Sequence, residues 1–368
     1  MKHIKAIFGT ILMCFFLVSF IQVNKKEQKK NKAYELIVPD LRIPWGFTFL
    51  PDNSILITEK SGKLIHFKKG KKQEVSGLPK IKEQGQGGLM DIELHPAYKS
   101  NKWIYFTYAS GNSKGANTTL MRARIQNNRL INQEVLYKAT PNTRRGQHFG
   151  SRIAFDKKGY VYFSVGDRGN RDKNPQDLTK DGGKIYRLHA DGKIPKDNPF
   201  VNVSNAKKAV YSYGHRNPQG MEINPFTGKI WSHEHGPRGG DEINIVKKGK
   251  NYGWPKASFG INYIGTKFTD KTSIKGMEDP LHQWTPSIAP SGMAFVNSDK
   301  YPGWKGDLLV GSLKFRYISH CTLKNGKVVK EEKILENLGR VRSIEQGNDG
   351  FLYAGIEQFG IVKILPKK

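Results

Sequence analysis

Six times along the chain, a run of alternating apolar and polar residues reaches a short turn rich in Pro, Asp, Asn and Gly, and a second run rich in aromatic residues follows. The units are Phe47 to Thr58 (FTFLPDNSILIT), Met90 to Tyr108, Arg152 to Val165 (RIAFDKKGYVYFSV), Met221 to His233 (MEINPFTGKIWSH), Met293 to Gly311 and Ser343 to Ala354 (SIEQGNDGFLYA). A period of two marks a strand, and the turn residues mark a hairpin. One hairpin cannot cover both of its faces, so such units must pack on one another. Their recurrence predicts an all-β fold: a six-bladed β-propeller with long top-face loops around a central channel. The early strand Tyr34 to Val38 (YELIV) would complete the last blade and remove an exposed edge. Two packed sheets with coincidental turns are the competing architecture.

Composition agrees with short strands and turns, since the 368 residues include 39 glycines and 18 prolines and few long apolar periodic runs. The start of the chain differs from the rest. Lys2 and Lys5 precede an uncharged run, residues 6–23, that ends at Lys25 and Lys26. It reads as a signal peptide or N-terminal membrane anchor over 1–23, followed by a basic linker over 24–33 and a propeller domain over 34–368. The expected location is periplasmic or extracellular, with residues 6–23 a possible membrane tether. Cys14 lies in this leader and Cys321 is the remaining cysteine, so no intrachain disulfide framework is expected in the mature domain. The formal charge of +29 invites a nucleic-acid reading. The lysines are scattered, however, and no helix or aromatic RNA motif gathers them, so no nucleic-acid partner is expected. A lysine-rich surface would still favour an acidic ligand.

No GxGxxG follows a predicted strand, and GxxxxGK[ST], HExxH and GxSxG are all missing, which removes nucleotide, zinc-protease and esterase-elbow readings. The polar residues that strands and turns do not require fall in a few stretches. His233 to Pro255 (HEHGPRGGDEINIVKKGKNYGWP) turns sharply at Gly236-Pro237 and Gly239-Gly240, freeing loop carbonyls that, with Asp241 and Glu242, are oxygen ligands of the kind calcium accepts. Gln86 sits among glycines in GQGGLMD, and His148 is flanked by Gly146 and Gly150 in RRGQHFGSR, where an imidazole can act as a proton acceptor at neutral pH. Asp167 opens the long loop VGDRGNRDKNPQDL, and Arg216 and Asn217 precede a proline in YGHRNPQGM. Lys314 lies in GSLKFR. Arg340 and Arg342 in GRVRS are two apart, so on a strand both guanidiniums point the same way and can fork onto carboxylates of one acidic ligand.

The order GQGGLMD, HFGSR, VGDRG, GKIYRLHADGKIPKDNPF, YGHRNPQGM, HEHGPRGGDEIN, NYGWP, SLK and GRVR resembles the soluble quinoprotein sugar dehydrogenases, most closely their aldose sugar dehydrogenase branch. The resemblance covers nearly everything after about residue 36. It implies a six-bladed propeller that binds pyrroloquinoline quinone (PQQ) and calcium, one catalytic ion and one structural. It implies an aldose substrate, oxidised at its anomeric hydroxyl to a lactone, and an electron acceptor that the sequence does not identify. By position, His148 resembles the family's general base, and Gln86 and Asp167 match the substrate side of the pocket. Arg216 and Asn217 match residues that hold the quinone oxygens, and Lys314, Arg340 and Arg342 match those that bind the cofactor's carboxylates. Gly236 and Pro237 match the carbonyls that hold the catalytic calcium, and Glu242 and the Tyr252 backbone match the structural site.

The chain departs from the glucose dehydrogenase branch at two points. Gln147 precedes the base where that branch has an aspartate, and the aromatic substrate clamp has no counterpart between Trp284 and Pro290 beyond Trp284 itself. A broad aldose preference follows. The other readings are a calcium-dependent lactonase-like propeller, which needs several carboxylates converging on a metal in the channel, and a binding propeller without catalysis.

Overall fold

The computed structural model describes residues 33–366, so the expected leader and nearly all of the linker lie outside the described residues. Six four-stranded antiparallel sheets, with one helical turn, Tyr98–Asn101, beside them, account for the regular structure of the described residues. The six expected hairpins are the two inner strands of the six blades. Pro44–Phe49, Leu89–Leu94, Ile153–Phe155, Pro218–Ile223, Pro290–Phe295 and Val341–Gln346 are the innermost strands, and each touches the next around a closed ring. The early strand closes that ring as expected. Tyr34–Pro39 pairs with Gly360–Ile364, Leu36 facing Val362 and Pro39 facing Gly360, and so joins the first residues of the domain to the last blade.

The apolar core is divided among the blade interfaces. Leu56, Leu64, Ile92 and Phe106 pack between blades one and two, and Tyr105, Ile153, Phe163 and Tyr186 between two and three. Tyr162, Ile185 and Met221 fill the next interface, Trp231, Met293 and Val310 the fourth, Leu309, Ile344 and Val362 the fifth, and Phe47, Ile57 and Ile361 the closing one. A middle strand therefore has a neighbouring blade on both faces. That is why Ile55–Glu59, Val161–Val165, Leu308–Ser312 and Leu352–Ile356 are buried at every position instead of alternating. Outer strands have no such cover and are polar: Lys71–Val75 and Lys327–Ile334 carry exposed lysines that discourage edge pairing.

One buried side chain ties the ring across its channel. Arg152, at the start of the third blade, donates to Asp91 Oδ1 at 2.8 Å, to the Gln219 carbonyl at 2.7 Å and to the Arg342 carbonyl at 2.8 Å, and its guanidinium lies over Trp45. These partners belong to blades two, four, six and one. The inner strands are also in backbone contact, and at Gly292, with φ +63°, a Cβ would sit 2.6 Å from the Ser343 Cα.

Candidate active site

The loops that enter the inner strands, and those between the second and third strands of the blades, bring most of the expected residues to one end of the channel. His148 lies in the loop before Ile153–Phe155. Its Nδ1 is 2.6 Å from Asp167 Oδ1, and its backbone N–H donates to Gln86 Oε1 at 2.8 Å. Asp167, 1% exposed, accepts at its other oxygen from the indole N–H of Trp254 at 2.9 Å. Asp167 thus stands behind the imidazole. It had been expected on the substrate side, but its oxygens are taken up by His148, Trp254 and the Gly169 N–H.

The chemical consequence follows from this bond. A carboxylate at Nδ1 fixes the proton there and leaves the Nε2 lone pair as the acceptor. Burial, followed by the Arg216 charge, pulls the His148 pKa below its usual value against the opposing pull of Asp167, so the imidazole is neutral at pH 7. Burial acts to raise Asp167, but the hydrogen bond and charge of His148 and the charge of Arg216 outweigh it and hold the carboxyl below the usual range. The missing aspartate at position 147 is therefore answered by Asp167, nineteen residues after His148 in the chain.

Trp254 reaches the site by an indirect route. After the third strand of blade four, the chain climbs beside the outer strand of blade three, with Gly249 N–H on the Tyr211 carbonyl, Tyr252 N–H on Tyr213 and Trp254 N–H on Gly214. Nothing in NYGWP assigns Trp254 a task, and its spacing from Asp167 offers no signal.

Arg216 joins this group to the calcium loop. Its carbonyl accepts from Asp167 N–H at 2.7 Å, and its guanidinium donates to the His235 carbonyl at 3.0 Å, one residue before Gly236. The Arg216 and Asn217 N–H groups both donate to Glu234 Oε2, and Glu234 Oε1 binds His215 Nδ1, whose Nε2 meets Ser212 Oγ at 2.9 Å. This is the bond pattern of a serine nucleophile relay, but Ser212 is fully buried and the carboxylate is committed to the backbone of Arg216 and Asn217. The network therefore acts as a scaffold for those two residues.

The loop 236–240 is shaped by close carbonyls. A Cβ on Gly236 would lie 2.1 Å from the Gly239 oxygen and 2.3 Å from the Gly240 oxygen, and one on Gly260 would lie 2.3 Å from the Gly239 oxygen and 2.7 Å from the Pro237 oxygen. Several neutral oxygens gathered where only glycine fits match the donor set of a hard cation. Asp241 does not take part as expected. It is wholly buried, Oδ1 accepts from Gly236 N–H, Oδ2 from Ala289 N–H, and Ser287 donates to both. Glu242 differs. It lines a cavity of about 10 Å³ with Glu234, Tyr252, Trp254 and Ser258, room for one water or ion. Burial, and then the Glu234 charge, pushes it up to about 8. Two carboxylates against a small hole, one of them reluctant to ionise, suit a divalent cation.

The three expected cations share one side. Leu313 N–H donates to the Ala289 carbonyl, Lys314 N–H to the Ile288 carbonyl, and Arg340 Nη1 to the Leu313 carbonyl at 3.2 Å. Asp241, Ala289 and Leu313 thus link Gly236 to Arg340 through consecutive hydrogen bonds. Glu357, which no local motif marks, accepts from Arg340 Nε at 2.7 Å and Arg342 Nε at 2.8 Å. The Lys314 ammonium has no ion pair among the described residues and lies over the Phe315 ring at 4.9 Å.

Carboxylates also meet in the channel, which the sequence reading did not foresee. Glu93, Glu222 and Glu345 come from the far ends of the inner strands of blades two, four and six, away from Arg216 and Arg340. Burial raises all three, Glu222 to about 8; the next cause is the Asp91 charge for Glu222, the Glu345 charge for Glu93 and the Glu222 charge for Glu345. No group of three or more acidic, histidine or cysteine side chains among the described residues has metal-holding geometry. A cavity of about 550 Å³ between the outer strands of blades four and five contains none of the expected residues except Trp284, whose indole donates to Glu331. Trp284 packs in the interface core and is no substrate clamp.

A family model described as glucose / sorbosone dehydrogenase matches residues 41–362. The chain is 40% identical over 366 residues to the aldose sugar dehydrogenase YliI of Escherichia coli, covering 96% of this chain and 98% of that one. It is 29% identical to the quinoprotein glucose dehydrogenase B of Acinetobacter calcoaceticus, over 79% of this chain and 66% of the relative. Among solved structures, the apo soluble aldose sugar dehydrogenase of Escherichia coli superposes with a TM-score of 0.86 at 39% identity, covering 91% of this chain and 99% of that one. The PQQ-bound aldose sugar dehydrogenase of Streptomyces coelicolor superposes with a TM-score of 0.76 at 26% identity, covering 90% and 96%.

Proposed function

The chain belongs to the glucose / sorbosone dehydrogenase family, and from that premise we propose that it is an exported, PQQ- and calcium-dependent enzyme that oxidises the anomeric hydroxyl of aldoses to lactones. The observation that carries the reading is the His148–Asp167 pair, a neutral imidazole with Nε2 free, joined through Arg216 to the Gly236 loop.

His148 Nε2 takes the proton of the anomeric hydroxyl as the carbonyl of the lactone forms, and Asp167 stabilises the imidazolium that results. Arg216 would supply its charge to the quinone oxygen where negative charge grows, a contribution of about 3 to 4 kcal/mol for a single donor of this kind. Bound PQQ and calcium supply the hydride acceptor and the Lewis acid that polarises it. Lys314, Arg340 and Arg342 hold the carboxylates of the quinone, and Asn217 supports its oxygens. Gly236 and Pro237 present carbonyls to the catalytic calcium, and Glu242 with the Tyr252 backbone holds the structural one. Gln86, which caps the His148 N–H, would face the sugar. The electrons leave to a separate acceptor. Export and a tether through residues 6–23 belong to the same proposal. Among the described residues no helix is long and apolar enough to cross a membrane.

The test is reconstitution. The purified apoprotein receives PQQ, calcium or both, and reduction of an artificial electron acceptor is followed with a panel of aldoses. Turnover is expected only with both additions and with several aldoses. Sugar oxidation without the quinone would overturn the reading.

A further inference from the structure

Asp167 is followed by a side chain whose burial demands a reason. Arg168 is 2% exposed, one of the largest fully buried side chains in the protein. No carboxylate forms an ion pair with it among the described residues, and its Nε has no hydrogen-bond partner. Burial pushes the guanidinium down to about 9, so it remains charged at neutral pH. The Asp167 charge offsets that burial only in part, and a buried cation without a bonded counter-ion is costly.

All the hydrogen bonds it makes go to main-chain carbonyls. Nη1 donates to Gln147, and Nη2 donates to Arg145 at 2.9 Å and to Ala116 at 3.4 Å. The face of the guanidinium lies 3.4 Å from the centre of the Phe149 ring. Residues 145, 147 and 149 are the near neighbours of His148, which itself sits at φ +56°, a left-handed conformation that residues with a Cβ avoid. The two loops lie close together, backbone against backbone at Gly166. A Cβ on Gly166 would lie 2.4 Å from the His148 oxygen, and one on Gly169 would lie 2.4 Å from Gln147 Nε2.

We propose that Arg168 is a positioning residue for the base: its guanidinium grips the carbonyls before His148 and the ring after it, and so holds His148 in the left-handed conformation that presents its imidazole to Asp167. Asp167 and Arg168 then act as a two-residue clamp, the carboxylate on the side chain of His148 and the guanidinium on its backbone. The inference rests on His148 as the base of sugar oxidation, but its structural part can be read without quinone. Lys at position 168 would keep the charge yet cannot span two carbonyls while stacking on Phe149.

The experiment compares Arg168→Lys and Arg168→Met with the wild type. In quinone-free protein, the histidine NMR signals are titrated, with His148 assigned by its absence from His148→Ala. In protein loaded with PQQ and calcium, kcat, KM for the sugar and quinone affinity are measured across pH. Both variants are expected to displace the His148 signal and lower kcat by about 10- to 100-fold, leaving KM and quinone affinity little changed. The acidic limb of the kcat profile should move to higher pH in Arg168→Met, where a positive charge near the imidazole is lost, and stay in place in Arg168→Lys. If Arg168→Met does not fold, Arg168→Lys decides. Wild-type kcat and an undisplaced His148 signal in Arg168→Lys would overturn the proposal. A displaced signal in a protein that oxidises no sugar would sink the functional reading and leave the clamp standing.

Discussion

The two halves of the site are built differently. On the side of blades two and three, each side chain is held by others: His148 by Asp167 and Gln86, Asp167 by Trp254 and Gly169, Arg168 by three carbonyls. On the side of blades five and six, Lys314 is exposed with no ion pair among the described residues, and Arg340 and Arg342 share the single carboxylate of Glu357. Three cations against one carboxylate leave a surplus of two positive charges. Proton transfer needs a group fixed before substrate arrives. Anion capture needs charge, and geometry can be completed by the ligand. The comparison suggests that the base side sets the rate and the cation side sets the affinity.

Replacing His148 with Ala should break the first half most severely. Turnover of the reconstituted enzyme should fall by about 10²- to 10⁴-fold, the range for a lost general base, while quinone affinity by fluorescence titration holds. Asp167→Asn should come next, with a kcat loss of about 100-fold from a misplaced or wrongly tautomerised imidazole. Lys314→Ala should act on the other half. Losing one charged hydrogen bond, about 1.5 to 3 kcal/mol, weakens quinone binding by about 10- to 100-fold, less at high salt, and leaves kcat at saturation unchanged. A K314A protein with normal affinity and slow turnover would erase the distinction.

Two smaller effects concern pH. Because burial and Arg216 depress His148, the base loses its proton below the usual imidazole range, so kcat should hold steady down to about pH 6.5 and fall only beneath it. The channel glutamates work in the opposite sense on stability. Their folded pKa values lie above the unfolded ones, so the contribution is present in full below about pH 4.5 and lost as pH rises through about 8 for Glu222. The melting temperature should therefore decline from mildly acidic to alkaline pH, and Glu222→Gln should flatten that decline. An unchanged slope in Glu222→Gln would show that the channel charges do not matter.

Much of this was legible in the chain because hairpins and their turns are local. The six inner pairs follow from alternation and turn residues within one short stretch of chain each, and Tyr34–Pro39 reads as a strand from its own alternation although its partner, Gly360–Ile364, lies at the far end of the domain. Full burial of the middle strands was not legible, since it depends on a second blade covering the other face. The site residues could be named from motifs, but their wiring joins distant positions. Arg152 meets the carbonyl of Arg342, Trp254 meets Asp167, and Glu357 meets Arg342 on the strand Val341–Gln346 and Arg340 just before it. No local pattern marks Glu357 as their partner. Asp241 illustrates the reverse error: an acidic residue beside a glycine turn resembles a metal ligand, yet the backbone and Ser287 take both of its oxygens.

The most direct test is a crystal structure with PQQ and calcium bound, compared with one without them. We expect the quinone between Arg216 and the Lys314, Arg340 and Arg342 group. His148, Asp167 and Trp254 should stay within about 0.5 Å of their unliganded positions, as preformed sites do, while Lys314 swings onto a cofactor carboxylate. A quinone seated elsewhere, or a His148 loop rebuilt around an unmoved Lys314, would contradict the account.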